Sequence, residues 1–389
     1  MLNSLEIKNF RLLENFQVSK LGRVNLIVGK NNSGKSSVLE ALRIYAGNGQ
    51  RPLLEEIAAG HDEKFRLRES ENGDAETQYP FEDFFTGRAF PQSEDAGISI
   101  GTIEEKSDSL LLEHGFLHET EEILTNDLGG TIETSTRIRR QRISRTSAEE
   151  IDVGSVRQVL FVGKGGRWTP ILLDNNAPRY RTTPIDTSGT LACSSIPTQF
   201  ISVDELADEW DNIVFTEQEK IVRQALRIIS PGFDNLTFVR NDDRTPSSRR
   251  EFRRSAKVKL ADMPRPVPLN SLGDGMLRVL QLVLKVFPAK GGFLLIDEFE
   301  NGLHFSVQQK LWELLFELSQ QLDIQVFATT YSWDCIESFA KTAIARQDVE
   351  GVLFRVGRSV RDSDRGRVIA TVFDEQALFD ITQTDVEVR

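Results

Sequence analysis

Cysteine is almost missing from this sequence: Cys193 and Cys335 are the only two among 389 residues, too few for a disulfide framework or a cysteine-rich zinc site. A reducing cytoplasm is the expected compartment. Histidine is nearly as scarce, and His61, His114, His118 and His304 never fall in HExxH or paired-ligand spacing, which argues against histidine-based metal chemistry. No uninterrupted apolar run approaches the roughly 18 residues that a membrane span needs. The opening MLNSLEIKNFRLLENF alternates charge and apolarity and lacks a signal-peptide core. An excess of basic charge is missing too: 47 Lys and Arg against 59 Asp and Glu give a net charge of −12, so nucleic-acid binding would have to come from a local patch. With 39% hydrophobic and 27% charged residues the composition is that of a globular chain, which excludes disordered and fibrous classes. At about 150 residues per domain, the length predicts two to three domains.

What is present is concentrated at the two ends. Residues 24–28, VNLIV, read as a buried strand that feeds the turn GKNNSGKSS. Val38, Ala41, Leu42 and Tyr45 then fall at helical spacing on one stripe. Residues 50–95 show little periodicity and are expected as a surface excursion. Short β-rich runs between 97 and 174, with Gly163, Gly165 and Gly166 marking a hairpin, predict an antiparallel sheet. Residues 175–197 read as a loop. One helical pattern covers 204–230, with Leu206, Trp210, Ile213, Ile221, Ala225 and Ile228 on its apolar face, and two strands around an arginine-rich loop follow. The last third alternates helix 275–287, strand 293–296, helix 306–320, strand 324–328 and helix 332–342, a parallel α/β pattern, before a closing strand pair.

Gly29-Lys30-Asn31-Asn32-Ser33-Gly34-Lys35-Ser36 fits GxxxxGK[ST] in the strand–loop–helix context that a phosphate loop requires, with Ser37 continuing the helix start. Glycines let backbone N–H groups turn inward around phosphates. Lys35 places a point charge on the β/γ phosphates, and Ser36 supplies a ligand for Mg²⁺. Phe293-Leu294-Leu295-Ile296 is a buried strand with Asp297 and Glu298 at its C-terminal end, where parallel sheets bind ligands. There Asp297 suits the Mg²⁺ shell, and Glu298 suits orienting or deprotonating a water.

In order, NFRLLENFQVSKLGRVNLIVGKNNSGKSSVLEAL, LNSLGDGMLRVLQLVL, FLLIDEFENGLH and FATTYSWDCIE resemble the ATP-binding-cassette ATPase heads of the structural-maintenance-of-chromosomes type. Within that group they are most similar to the overcoming-lysogenisation-defect-like ATPases of prokaryotic defence operons. The resemblance implies an α/β P-loop head, a mixed sheet lobe plus an antiparallel β subdomain, with an inserted helical arm. Residues 1–203 and 263–389 would be the two parts of the head and 204–262 the arm. It implies ATP and Mg²⁺ as cofactors and a signature motif at Ser271-Leu272-Gly273-Asp274-Gly275. The Ser271 hydroxyl and the glycine N–H groups of Gly273 and Gly275 would bind the γ-phosphate held by the opposite subunit, in a head-to-tail homodimer around ATP. It further implies a D-loop at Glu300–His304, a contact of Arg11 with adenine or phosphates, and hydrolysis at Glu298.

Two departures stand out. The switch segment reads Thr329-Thr330-Tyr331-Ser332 where the family has a histidine, and Tyr331 donates one hydrogen bond but does not become cationic near neutral pH. Slow or activated hydrolysis is the expectation. No clear Q-loop glutamine is evident, although Gln78 and Gln92 lie in the right region. Roughly 60 residues of this sequence follow the switch strand, too few for the C-terminal nuclease domain of larger relatives. A separately encoded effector such as a nuclease is therefore the expected partner, in antiviral defence. The rival readings are a DNA-repair or chromosome-maintenance ATPase and a non-hydrolysing ATP-bound scaffold. The arginine clusters at 137–145 and 240–259 read as solvated or protein-facing charge rather than a nucleic-acid surface, and Trp210 and Trp333 as core.

Overall fold

The computed structural model describes residues 1–66, 77–93, 96–127, 132–151, 155–173, 189–241, 253–364, 366–374 and 377–380. The chain forms two compact units, one of Met1–Ser4, Val18–Leu39 and Leu191–Arg389, the other of Leu5–Gln17 and Glu40–Thr190.

The first unit is built on a six-stranded sheet in the order Cys193–Ile196, Phe293–Ile296, Gln325–Thr330, Val24–Val28, Gly351–Arg358, Val368–Phe373. Every neighbouring pair is parallel except the last. Phe293–Ile296, Gln325–Thr330 and Val24–Val28 are buried along their whole length, as strands covered on both faces must be. That is why they read as continuous apolar runs. Ile296 lies opposite Ala328 and Ala328 opposite Leu26. This register sets the C-terminal ends of three adjacent strands side by side, so Gly29, Asp297 and Tyr331 emerge along one edge.

Helices Asp274–Leu284, Phe305–Gln321 and Trp333–Ala345 match the expected alternation within a few residues at each end. The expected single helix over 204–230 is two, Val203–Ile213 and Glu217–Ile229. Between them Phe215 turns left-handed at φ 67°, and the Thr216 side chain accepts the N–H of Gln218 to cap the second helix. The described residues of 204–262 contribute to the core of this unit: Leu206, Trp210, Leu226, Phe233 and Val258 are buried with Leu280 and Trp312. Trp210 is thus core as expected, and Trp333 packs half-buried against it. Cys193–Ile196, which fell within the expected loop 175–197, is an edge strand instead, recruited by parallel pairing with Phe293–Ile296 rather than by any pattern of its own. Residues 175–188 of that loop lie outside the described residues.

The second unit carries a seven-stranded sheet in the order Arg167–Leu172, Val156–Lys164, Leu110–Asp127, Ile98–Gly101, Leu5–Phe10, Leu13–Val18, with Ile132–Ile143 paired to Leu110–Asp127. The expected glycine hairpin is there, with Lys164 opposite Arg167 and positive φ at Gly165 and Gly166. The described residues of the expected excursion over 50–95 include regular elements that its sequence does not suggest. Helix Arg51–Gly60 buries Leu54, Ile57 and Ala58, and a turn at Phe81–Phe84 buries both of its phenylalanines.

Candidate active site

The phosphate loop closes on a backbone that only glycine tolerates at its first position. Gly29 has φ 153°, and a Cβ there would come within 2.3 Å of the Val356 carbonyl oxygen. Asn32 and Gly34 also take positive φ before helix Lys35–Ala46 begins. Lys35 is 9% exposed, and its Nζ donates to the carbonyls of Gly29 at 2.8 Å and Lys30 at 3.0 Å. Burial pulls its pKa down against the opposing pull of Asp297, Glu298 and Glu300. The ammonium is therefore curled inside the loop that would surround a phosphate. Ser33 is buried, and its Oγ has no hydrogen-bond partner among the described residues.

Ser36 Oγ lies 3.3 Å from Asp297 Oδ2 and 3.4 Å from Oδ1, so the helix start and the strand end face one point. A hydroxyl and a carboxylate are hard oxygen donors, the set that suits Mg²⁺. Asp297 is held from behind by the hydroxyls of Thr329, at 2.6 Å, and Thr198, at 3.2 Å. The Thr329 hydroxyl also accepts the backbone N–H of Glu298 at 2.9 Å, so one side chain orients both acids.

Glu298 sits at φ 48°, a left-handed conformation that costs a non-glycine residue about 1–3 kcal/mol and clusters at functional sites. Burial first, then the neighbouring Asp297 and Glu300, push its carboxyl pKa up, against Lys35 and Arg278. Arg278 was not legible as a site residue. It lies inside the apolar run of helix Asp274–Leu284, is fully buried, and donates to the carbonyls of Pro197 at 2.9 Å and of Asp297 and Glu298 at 2.8 Å each. Burial lowers its pKa to about 10. A lone arginine within MLRVLQLVL is the only sequence signal for it.

The Ser271 hydroxyl is exposed and donates to the Pro268 carbonyl at 2.6 Å. Among the described residues no hydrogen bond joins it to Gly29–Ser37, its own chain's loop. Gly273 precedes the helix at φ 91°. A Cβ on Gly275 would approach the Gly302 carbonyl oxygen at 3.1 Å, so the turn at 271–275 and the loop at 300–304 pack backbone to backbone. His304 caps helix Phe305–Gln321 through Nδ1, which accepts the Ser306 N–H. Tyr331 is 47% exposed, and its backbone N–H donates to Glu300 Oε1 at 3.2 Å. Glu298, followed by burial and Glu300, raises its hydroxyl pKa, so the phenol keeps its proton and remains a donor.

Arg11 belongs to the second unit. Its guanidinium is bidentate to Glu63, at 3.0 and 3.2 Å, and its Nε lies 2.7 Å from Glu40. Those partners already occupy the donors expected to meet a nucleotide. Gln92 lies in the same unit, where its carbonyl accepts from Arg145; the side chain of Gln78 lies outside the described residues. In the basic clusters Arg140 pairs with Glu119, Arg142 with Glu113, Arg254 with Asp211 and Lys259 with Asp234. The side chains of Arg137 and Arg253 lie outside the described residues, as do Arg244, Arg249 and Arg250.

A family model described as "AAA domain, putative AbiEii toxin, Type IV TA system" matches residues 24–332. The chain is 22% identical over 352 residues to a Helicobacter pylori protein named "ATP/GTP phosphatase", covering 87% of each. Over 45 residues it is 47% identical to an uncharacterized protein of Methanocaldococcus jannaschii, a segment that spans 12% of this chain and 20% of that one. Among solved structures it is similar to the SmcHead bound to the C-winged helix domain of ScpA, with a TM-score of 0.50, 16% identity and coverage of 97% of this chain and 99% of that one. The fold is that of a mixed α/β P-loop head of the ATP-binding-cassette type.

Proposed function

This chain belongs to the AAA-domain family whose model matches residues 24–332, and from that membership and the geometry of the site we propose that it binds and hydrolyses ATP with Mg²⁺. The observation that carries the reading is the approach of Ser36 to Asp297 at 3.3 Å, with Glu298 next in sequence and Lys35 inside the phosphate loop. Gly29, Asn31, Asn32, Ser33, Gly34 and Ser37 would line the phosphates. Ser36 and Asp297 would hold Mg²⁺, which when bound neutralises charge on the β and γ oxygens.

Lys35 leaves the loop carbonyls for the phosphates, and Glu298 orients a water in line with the γ-phosphorus. The water oxygen forms a bond to phosphorus as the bond to the β–γ bridging oxygen breaks. The water's proton passes to Glu298, and ADP and phosphate leave. The Tyr331 hydroxyl donates one hydrogen bond to the γ-phosphate.

Ser271 is exposed and, among the described residues, hydrogen-bonded within its own turn, which supports its use by a second copy: a head-to-tail dimer with the signature serine and the N–H groups of Gly273 and Gly275 on the partner's γ-phosphate. Arg11, paired with Glu63 and Glu40, would reach nucleotide only by releasing them. The resemblance to ATPases of defence operons is what supports a prokaryotic defence role with a separately encoded effector; the family description itself names a putative toxin of a type IV toxin–antitoxin system. The relative named "ATP/GTP phosphatase" supports turnover rather than binding alone.

The test is phosphate release and nucleotide titration on wild type, Lys35→Ala and Glu298→Gln, with sizing chromatography in ATP. Wild type should turn over. Lys35→Ala should lose affinity, and Glu298→Gln should bind ATP, lose about 10²–10⁴-fold in rate and accumulate as a dimer. Undiminished ATP affinity in Lys35→Ala would overturn the reading.

A further inference from the structure

Beyond Thr330 the switch strand leaves the sheet, and the N–H of Tyr331 has no ladder partner to meet it. Two side chains take the amides of this exit: Glu300 Oε1 accepts Tyr331 N–H at 3.2 Å, and Thr330 Oγ1 accepts Ser332 N–H at 3.0 Å. Ser332 makes no side-chain cap to the helix that follows. The Tyr331 side chain is half exposed, and these two bonds hold the main chain from which it projects.

The Glu300 carboxylate is an unusual way to hold one amide. Its Oε2 is sealed from solvent and has no hydrogen-bond partner among the described residues. Keeping a carboxylate oxygen dry and unpaired costs stability, and a threonine or asparagine would accept the same N–H at less cost. The acid also sits within electrostatic reach of the groups proposed for the chemistry, since it acts on Lys35, Glu298, Arg278 and the Tyr331 hydroxyl.

We infer that Glu300 is a positioning residue of the nucleotide site: through the Tyr331 amide it fixes the end of the switch strand, so that the tyrosine hydroxyl is directed at Glu298 and the γ-phosphate. This rests on the ATPase reading for its consequence in rate, but not for its structural content. Glu300 then serves the D-loop and the switch at once, linking two segments 31 positions apart in sequence.

The experiment uses the full chain labelled with 3-fluorotyrosine. Its four tyrosines give four ¹⁹F resonances, and Tyr331→Phe identifies one of them. In Glu300→Ala the Tyr331 resonance should collapse towards the shift of a freely rotating tyrosine. In Glu300→Gln, whose amide oxygen still accepts the N–H, it should stay in place. An unmoved resonance in Glu300→Ala overturns the inference whether or not the protein turns over ATP. Where wild type hydrolyses ATP, Glu300→Ala should lower kcat about tenfold or more with KM within about twofold, and Glu300→Gln should restore most of it. Glu300→Ala combined with Tyr331→Ala should be no slower than the worse single variant, and multiplying losses would also overturn the inference. Absence of phosphate release from wild type counts against the ATPase reading alone.

Discussion

The guanidinium of Arg278 donates to the main-chain carbonyl of Glu298 at 2.8 Å, which ties helix Asp274–Leu284 to the residue proposed to orient water. The same group holds the carbonyls of Asp297 and Pro197, so the left-handed turn at Glu298 is braced from within the core. Replacing Arg278 by Met keeps the apolar stem but takes the donor from the part-buried carbonyls of Pro197 and Asp297, while the Glu298 carbonyl keeps only the Asn301 N–H at 3.0 Å. Each such loss costs about 1–3 kcal/mol before relaxation. The expected outcome is a loss of about 3 kcal/mol in urea unfolding, together with a lower rate of phosphate release. Arg278→Lys should fall between, because an ammonium lacks the planar fork. Wild-type stability in Arg278→Met would show that these bonds are not needed.

Thr329 gives a sharper test of orientation. Its hydroxyl donates to Asp297 Oδ1 at 2.6 Å and accepts Glu298 N–H at 2.9 Å, while its own backbone is buried in the sheet. Thr329→Val preserves the shape and removes both bonds. Phosphate release should fall about 10- to 100-fold while the melting temperature drops by only a few degrees, about 1 kcal/mol per hydrogen bond lost. Thr329→Ser should retain most of the rate. Equal activity in the valine and serine variants would mean that the hydroxyl does not orient the acids.

What the sequence made legible follows from where its signals are local. Buried parallel strands read as unbroken apolar runs, and the phosphate loop declares itself through glycines whose backbone angles no other residue accepts. The Asp297–Glu298 pair was visible because a strand end in a parallel sheet is a place with known chemistry. Arg278, Thr198 and Thr329 were missed because their roles depend on which atoms tertiary packing brings within 3 Å or so. The break at Phe215 was missed for a related reason: apolar spacing continues across it, and only the cap at Thr216 separates the helices. Cys193–Ile196 carries no alternation of its own and is a strand only because Phe293–Ile296 offers it an edge.

The raised pKa of Glu298 makes a statement about stability as well as catalysis. Its carboxyl holds a proton more tightly in the folded chain than in the unfolded one, from burial first and then from Asp297 and Glu300. The folded state therefore binds more protons through that window. The favourable contribution is present below the unfolded pKa, near 4.5, and is lost as pH rises through the higher folded value. Glu298→Gln removes the penalty for a buried charge. In thermal melts without nucleotide it should be more stable than wild type at about pH 8 and indistinguishable at about pH 4. The acid limb of wild-type turnover should correspondingly lie above the ordinary glutamate range, and a limb at or below that range would contradict the assignment of Glu298 as base.

Tyr331 stands where the resembling family places a histidine, and its phenol keeps its proton because Glu298, burial and Glu300 all raise its pKa. In the proposed site it would donate a single neutral hydrogen bond and bring no charge to a γ-phosphate whose negative charge must be met in the transition state. An imidazolium at the same position would add a charge-assisted bond, which is roughly twice as strong as a neutral one. Tyr331→His keeps the backbone N–H that Glu300 accepts, so the strand end stays anchored while the tip changes chemistry. Single-turnover phosphate release should rise, by about tenfold if the added bond contributes about 1.4 kcal/mol in the transition state, and more at pH 6 or so, where the imidazole is largely protonated, than at about pH 8. An unchanged rate at both values would show that the switch position does not limit the chemical step.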